Sequence, residues 1–380
     1  MPFALHPSPL WLAVGALAPR TLAVMGLAKN TGKTVTLNHL LAQAAGQRLA
    51  VGLTSIGRDG EERDAVFAIP KPPVRVWPGT VVATARGTLA RAGVRTRWLA
   101  GTGVASPMGE IVLVKVLDAG TMEVAGASRG PDQRRVIDAL HDCGATMVLL
   151  DGALGRSQHA SPAIADAVVL ATGAAVGGAL PDVLRKTRER LALLRLAPAD
   201  HRALRHCAGL FEQGQGVGLW DAQGRALFSE PAATLTAGPS LLAASEQVAR
   251  AAGRVACVAC TGAVGRSLWQ AFEQLAEAHP GLQVLVADGT RLFVEPSDLA
   301  SLARRGAHLA AWRPIRIAGL TTNPFSPKGG HLVAADLLAG AREAFPDLTI
   351  ADVMLESTDL PAGALRHADH KEPTDGPLAA

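Results

Sequence analysis

The stretch VMGLAKNTGKTVTLNHLL contains the residue types that hold a nucleotide phosphate. An apolar run leads into a glycine turn, and Lys33 and Thr34 open the amphipathic segment that follows the turn. In a phosphate-binding loop, backbone N–H groups and a lysine contact the phosphates, a hydroxyl binds Mg²⁺, and the following helix directs its dipole at the anion. We therefore predict that Asn30, Thr31, Gly32 and Lys33 bind the phosphates of ATP, and that Thr34 binds Mg²⁺.

The loop departs from the pattern G-x-x-x-x-G-K-[ST] at one position. Leu27 stands where the first glycine is expected, and a glycine lies one residue earlier, at Gly26. Lys29 receives no role, because the signature lysine of deviant phosphate loops would fall at Ala28 in this chain. The alternative interpretation is an ordinary glycine-rich turn between a strand and a helix.

Two acidic positions are candidates for the metal site and for catalysis. Asp151 follows the apolar run MVLL, as expected of a carboxylate that holds the water shell of Mg²⁺ at the end of a neighbouring strand. Asp59 follows the second predicted strand and is a candidate metal or water ligand. Together with Lys33, these two acids form the predicted catalytic set. A capping residue in a turn is the alternative for Asp151, and the acids that follow Asp59 also fit a solvated loop.

Composition and charge favour a compact α/β protein. Hydrophobic residues make up 48% of the 380 residues and charged residues 18%, while the net charge is only +4. No basic run is long enough to indicate a nucleic-acid surface, and no apolar run approaches the roughly 20 residues of a membrane-spanning helix. The N-terminal LWLAVGALA has no lysine or arginine before Arg20 and is interpreted as a leading strand or packed arm. We expect a cytoplasmic protein without nucleic-acid or membrane partners.

Cysteine content does not indicate a disulfide framework or a metal centre. The four cysteines are scattered, and Cys257 and Cys260 lie inside the apolar run VACVACTGA. On a strand, residues three apart point to opposite faces, so this pair is predicted to consist of buried core thiols.

Strand-like and helix-like segments alternate from Thr21 nearly to the end, which is typical of a parallel sheet covered by helices. The first half has predicted strands at 21–26, 49–56, 109–117, 121–125, 146–151 and 167–172, and predicted helices at 33–45, 131–143 and 181–196. A hairpin with DAGT as its turn is predicted at 109–126. The predicted fold is α/β, with a P-loop NTPase-like, mainly parallel sheet that contains this inserted hairpin.

A second, smaller α/β domain is predicted after a boundary near residue 200. It contains a hairpin in GVGLWDAQGRALF, strands at 254–261, 282–287, 314–321 and 348–355, and helices at 267–279, 296–305 and 333–345. The predicted domains are therefore 1–200 for nucleotide binding, 201–356 for the C-terminal domain, and 357–380 for a flexible tail. His367 and His370 in this tail are interpreted as solvated residues, with metal binding as the alternative.

Seven segments with familiar patterns occur in order across nearly the whole chain: VMGLAKNTGKTVTLNHLL, GLTSIGRDGEERD, GTVVATARGTL, MGEIVLVKV, LLDGALGRS, ATGAAVG and PIRIAGLTTNPFSPKG. Together they resemble the KamB family, the nucleotide-binding reactivase subunit associated with adenosylcobalamin-dependent lysine 5,6-aminomutase. KNTGKT alone also resembles the loop of MobB-type nucleotide-binding proteins of molybdenum cofactor biosynthesis. The longer resemblance is more specific, because it rests on an ordered set of segments.

The resemblance implies a reactivating factor that hydrolyses ATP with Mg²⁺. Such a factor opens its partner, a cobalamin-dependent aminomutase of lysine degradation, so that intact cofactor replaces a damaged one, and a second reactivase subunit is a further candidate partner. It also implies that Gly32, Lys33 and Thr34 hold the phosphates and Mg²⁺ and that Asp151 completes the site. The segment at 323–327 belongs to the matched set, but no role follows for it.

Two other classes of function remain open from the sequence. One is a ligase or kinase that acts on a small molecule in cofactor metabolism. Lys71, after the second predicted strand, slightly favours this class, because such enzymes place a lysine there near the substrate. The other is a nucleotide-binding scaffold that does not hydrolyse its ligand.

Overall fold

The computed structural model describes residues 6–56, 73–152, 161–214, 216–230, 237–250, 253–327 and 329–355. Within these ranges the strands are β1 (Thr21–Gly26), β2 (Val51–Ser55), β3 (Val74–Val76), β4 (Val81–Ala85), β5 (Thr96–Ser106), β6 (Gly109–Val116), β7 (Gly120–Met122), β8 (Met147–Asp151), β9 (Ala167–Gly173), β10 (Val217–Trp220), β11 (Ala226–Glu230), β12 (Cys257–Cys260), β13 (Gln283–Val286), β14 (His308–Ala311), β15 (Ile317–Asn323) and β16 (Ile350–Ala351).

The helices follow the same chain order, and a short 3₁₀ turn lies at Gly289–Arg291. They are α1 (Pro9–Leu17), α2 (Lys33–Gly46), α3 (Arg86–Leu89), α4 (Gly130–Asp142), α5 (Leu180–Leu194), α6 (His201–Gln213), α7 (Ala237–Arg250), α8 (Arg266–Ala278), α9 (Pro296–Arg304) and α10 (Ala334–Ala344). No helix in the described ranges combines the length and the apolar character needed to cross a bilayer.

The largest sheet has nine strands in the order β16-β15-β9-β1-β8-β2-β4-β6-β5. The strands from β16 to β4 are parallel to their neighbours, while β6 and β5 add an antiparallel edge. The predicted α/β class with a large, mainly parallel sheet is therefore confirmed. Strand β1 lies inside this sheet between β9 and β8, so the residues that follow β1 emerge at the middle of its carboxyl edge.

Both faces of the large sheet are covered, which explains why its strands are continuous apolar runs. In β1, Leu22 and Val24 pack into the cluster that contains helices α1 and α2. Ala23 and Met25 point to the opposite cluster, where α4, α5 and α10 pack. Because all six residues of β1 are buried, the strand forms a rigid base for the loop after it.

The inserted hairpin is formed by β5 and β6, and the prediction of a hairpin at 109–126 is wrong. Strand β6 pairs with β4 and β5, whereas β7 pairs with β3 in a separate two-stranded sheet. The DAGT turn therefore connects strands of different sheets. Strand β5 escaped prediction because it is a largely exposed edge strand with two register shifts, so it carries no apolar run.

The N-terminal apolar segment is a packed helix, so the strand interpretation is wrong. Ser8 caps α1 by accepting a hydrogen bond from Trp11 N at 3.2 Å, and Pro9 occupies the first turn. Leu10, Trp11 and Val14 are buried against the large sheet. A helix that is buried on one face needs only a few apolar residues, and a short apolar run of this kind also fits a strand.

The second sheet has five strands in the order β11-β10-β12-β13-β14. Its hairpin of β10 and β11 confirms the prediction for GVGLWDAQGRALF, and β12, β13 and β14 are parallel. The strands predicted at 314–321 and 348–355 do not extend this sheet, because β15 pairs with β9 and β16 pairs with β15. The second sheet is thus built by a segment inserted between β9 and β15. The predicted tail at 357–380 lies outside the described residues.

Candidate functional site

The loop between β1 and α2, residues 27–32, turns the chain tightly at the carboxyl edge of the large sheet. Leu27 N donates to Ala171 O at 2.9 Å, which extends the pairing of β1 with β9 by one residue. Asn30 and Gly32 then adopt left-handed conformations, with φ of 61° and 88°. Gly32 is the N-cap of α2 and has no side chain to occupy the N–H groups of the first turn. The positive end of α2 therefore faces the carboxyl edge of the sheet.

The shifted glycine of the sequence pattern has a steric explanation. A Cβ atom on Gly26 would lie 2.9 Å from both Ala28 O and Lys33 Nζ, and closer still to Thr31 Oγ1. The loop and its lysine therefore fold directly over the Cα atom of Gly26, where no side chain fits. In this chain Gly26, and not residue 27, is the first glycine that the loop requires.

Lys33 and Thr34 are the first two residues of α2, and both are half-buried at the carboxyl edge. The ammonium group of Lys33 lies over the loop, above Gly26. Thr31 is buried, and its hydroxyl donates to Ala28 O at 3.0 Å, so this side chain stabilises the turn itself. Asn30 Nδ2 is buried without a hydrogen-bond partner among the described residues. A buried donor beside a lysine and a helix N-terminus fits an anionic ligand.

Asp151 is the last residue of β8, the strand next to β1. In the register of the sheet it pairs with Val24 of β1 and Ser55 of β2, and its side chain is buried. Because parallel strands place their carboxyl ends at one edge, Asp151 lies at the same edge as Lys33 and Thr34. The structure therefore brings together the predicted phosphate-binding residues and this carboxylate. Asp59 and Lys71 lie outside the described residues.

Asn323 is a site residue to which sequence reasoning assigned no role. It ends β15, and its Nδ2 donates to Asn30 O at 2.9 Å. A Cβ atom on Gly32 would lie 3.3 Å from Asn323 Cβ, so the asparagine also packs against the start of α2. A second contact joins the same elements, because Thr36 and Thr321 share a hydrogen bond of 2.8 Å between their hydroxyls. The sequence signal that could have pointed to Asn323 is that its segment, PIRIAGLTTNPFSPKG, is one of the seven that resemble the KamB family.

The arrangement suits a phosphate group with a bound divalent cation. Backbone N–H groups, the ammonium of Lys33 and the amide of Asn30 are cationic or donor groups, while Thr34 and Asp151 are oxygen ligands of the kind that Mg²⁺ prefers. No group of three or more His, Cys, Asp or Glu side chains suited to a metal occurs in the part of the chain that the structure describes. Mg²⁺ in nucleotide sites is commonly bound by one or two protein oxygens together with phosphate oxygens, and Thr34 and Asp151 are oxygen ligands of this kind.

The thiols of the CxxC pair are buried in the core, as predicted. Cys257 and Cys260 lie on opposite faces of β12, one packed against α6 and the other in the cluster of α7, α8 and α9. Burial raises the pKa of Cys260 to about 11, and a hydrogen bond with Cys207 together with burial raises the pKa of Cys257. Both groups are therefore held as neutral thiols at pH 7.

Comparison with protein-family models, with curated proteins and with solved structures gives no match to this chain. A functional assignment therefore depends on the geometry of the carboxyl edge and on the ordered segments of the sequence.

Proposed function

We propose that this chain binds Mg-ATP in the loop at residues 27–34 and hydrolyses it to reactivate a cobalamin-dependent aminomutase. The main observation in support of the nucleotide site is that residues 27–33 fold over Gly26, an arrangement that we call the cradle. The loop and Lys33 close over this glycine, and Gly32 opens α2 without a side-chain cap. An ordinary strand-to-helix turn does not require a lysine folded over a buried glycine.

Each residue of the site has a chemical task in this proposal. The N–H groups at the start of α2 and the Lys33 ammonium bind the phosphates and offset their charge. Thr34 supplies a hydroxyl ligand for the metal, and Asp151 fixes the metal's water ligands. Bound Mg²⁺ would neutralise charge that develops on the transferred phosphoryl group. The residues present fit this cofactor, since the donors and the carboxylate share one edge.

The reactivase part of the proposal is supported by the seven ordered segments, since a phosphate loop alone occurs in many unrelated enzymes. The reactivase role also requires that binding or hydrolysis of the nucleotide changes the conformation of other surfaces of the protein. Ten residues after Asp151, Ser161 donates to Asp288 Oδ2 at 2.6 Å, and both side chains are buried. Asp288 follows β13, so this hydrogen bond ties the chain beyond the acidic residue to the second sheet.

Recovery of mutase activity is the decisive test of this function. Aminomutase that has been inactivated by turnover or by air should regain activity with this protein, Mg-ATP and fresh adenosylcobalamin, and not when ATP is omitted. Lys33→Ala should abolish recovery, because the phosphates lose their principal cation. Lys115→Ala is the matched control, since Lys115 lies on β6 at the far side of the sheet and should support full recovery.

Two results would contradict the proposal. One is equal recovery with the wild-type protein and Lys33→Ala. The other is no recovery with a verified cognate mutase and every subunit supplied. Turnover that depends on a metabolite instead of the mutase would favour the ligase or kinase class.

A further inference from the structure

We propose that Asn323 is a positioning residue, which holds the phosphate loop in its binding conformation and links it to the turn that contains residues 324–327 and 329–333. This inference rests on the proposed nucleotide site and deepens it. Asn323 does not itself lie in the loop. It reaches the loop from the end of β15, two strands away from β1 in the order of the sheet.

The first step of the argument concerns the peptide between Asn30 and Thr31. Asn30 has a left-handed backbone, and its carbonyl accepts a hydrogen bond from Asn323 Nδ2 at 2.9 Å. In a trans peptide the carbonyl and the following N–H point in opposite directions. Holding the Asn30 carbonyl towards Asn323 therefore turns the Thr31 N–H away from that side chain and leaves it free to face a ligand.

The second step concerns how firmly Asn323 is itself held. Its carbonyl accepts a hydrogen bond from Ala174 N at 2.9 Å, and its backbone passes so close to Gly173 that no Cβ atom fits there. Its own Cβ atom packs against Gly32, the left-handed N-cap of α2. The carboxamide is thus attached to a backbone that β9 fixes, which is what a positioning residue requires.

The third step follows the other end of the same carboxamide. Asn323 Oδ1 accepts a hydrogen bond from Phe325 N at 3.2 Å, which starts the turn. Leu332 N donates to Pro324 O at 3.0 Å, and the rings of Phe325 and His331 lie 5.2 Å apart, so the turn closes on itself. One side chain therefore joins the phosphate loop to an exposed turn, and a change in either alters the hydrogen bonds of the other.

Two variants separate this role from simple packing. Asn323→Asp keeps the shape and the acceptor for Phe325 N but loses the donor to Asn30 O. Asn323→Ala loses both. Asn38→Ala is the matched control, since Asn38 lies on α2 and makes two hydrogen bonds, with Pro73 O at 3.0 Å and Arg75 N at 2.9 Å. Calorimetry with Mg-ATP at high salt, where the added charge of aspartate is screened, should show about 10-fold weaker binding for both Asn323 variants and wild-type affinity for the control.

Hydrogen exchange gives the second measurement, which a purely structural role would not alter. Mg-ATP should slow amide exchange at residues 325–327 and 329–333 in the wild-type protein and leave these residues unchanged in Asn323→Ala. If this variant does not fold, Asn323→Asp carries the same comparison, with the protection weakened.

Wild-type affinity in both variants, or ATP-dependent protection of the turn in Asn323→Ala, would overturn the inference and leave the nucleotide site standing. Failure of the wild-type protein to bind Mg-ATP would instead overturn the proposed function, and the positioning role with it.

Discussion

Replacement of Gly26 by alanine is the most direct test of the cradle. Gly26 does not have a positive φ, so alanine fits its backbone conformation and the effect is steric alone. The new methyl group would lie 2.9 Å from Ala28 O and from Lys33 Nζ, against 3.4 Å for the closest ordinary contacts. It would also meet the hydroxyl of Thr31, which is only 1% exposed and has no room to move outward.

The expected loss follows from these contacts. Lys33 can withdraw its flexible end, but Ala28 O belongs to the backbone and moves only if the loop changes shape. Overpacking of this kind costs about 1–3 kcal/mol, and displacement of Thr31 would add about 1 kcal/mol for its hydrogen bond to Ala28 O. We expect the free energy of unfolding to fall by about 2–4 kcal/mol and the affinity for Mg-ATP to fall at least ~10-fold.

Urea denaturation and calorimetry measure the two quantities separately. Gly209→Ala is the control, because Gly209 lies exposed in α6 with no atom within 4 Å of its Cβ position. That substitution should stabilise the protein by roughly 0.5–1 kcal/mol through helix propensity and leave binding unchanged. A Gly26→Ala variant with wild-type stability and affinity would show that the loop does not fold over this glycine.

Two further predictions concern charge. Asp151→Asn should retain nucleotide binding by calorimetry but hydrolyse ATP about 10–100-fold more slowly, because an amide is a poorer partner for metal-bound water; a wild-type rate would make Asp151 only a turn residue. Burial beside Ser8 lowers the pKa of His39 from 6.5 to about 4, so the unfolded chain binds a proton that the folded protein excludes between these values. The free energy of unfolding should therefore fall by about 3 kcal/mol as pH drops through this window. Urea denaturation of His39→Gln should show a shallower pH dependence, and an unchanged one would contradict a buried neutral histidine.

The parts of the fold that are local in sequence could be predicted from it. The bounds of β1 were predicted as the structure has them, because a fully buried strand is an unbroken apolar run that ends at the glycine turn. Lys33 was predicted from the glycine turn that follows β1, and Asp151 from its place at the end of the apolar run MVLL. The shared edge then follows from the rule that parallel strands end together.

The parts that depend on which elements become neighbours could not be predicted. An apolar pattern identifies β15 as a strand, but it carries no information on whether β9 or β14 lies beside it. The contact of Asn323 with Asn30 depends on that choice of neighbour, so no local pattern could show it. Strand β5 was not predicted for a different reason. It is an exposed edge strand with few buried residues, so it has no apolar run that would mark it as a strand.

The return of β15 to the large sheet has a consequence during synthesis. Asn323 follows its partner Asn30 by 293 residues. At about 5–20 residues per second, a ribosome needs on the order of 15–60 s to cover that distance. From the time β9 has been made, it is the open edge of an unfinished sheet, and the strands of the second sheet are made before β15 pairs with it. When the inserted segment folds before β15 is made, it shortens the flexible chain between β9 and β15. This lowers the entropy cost of bringing β15 to β9.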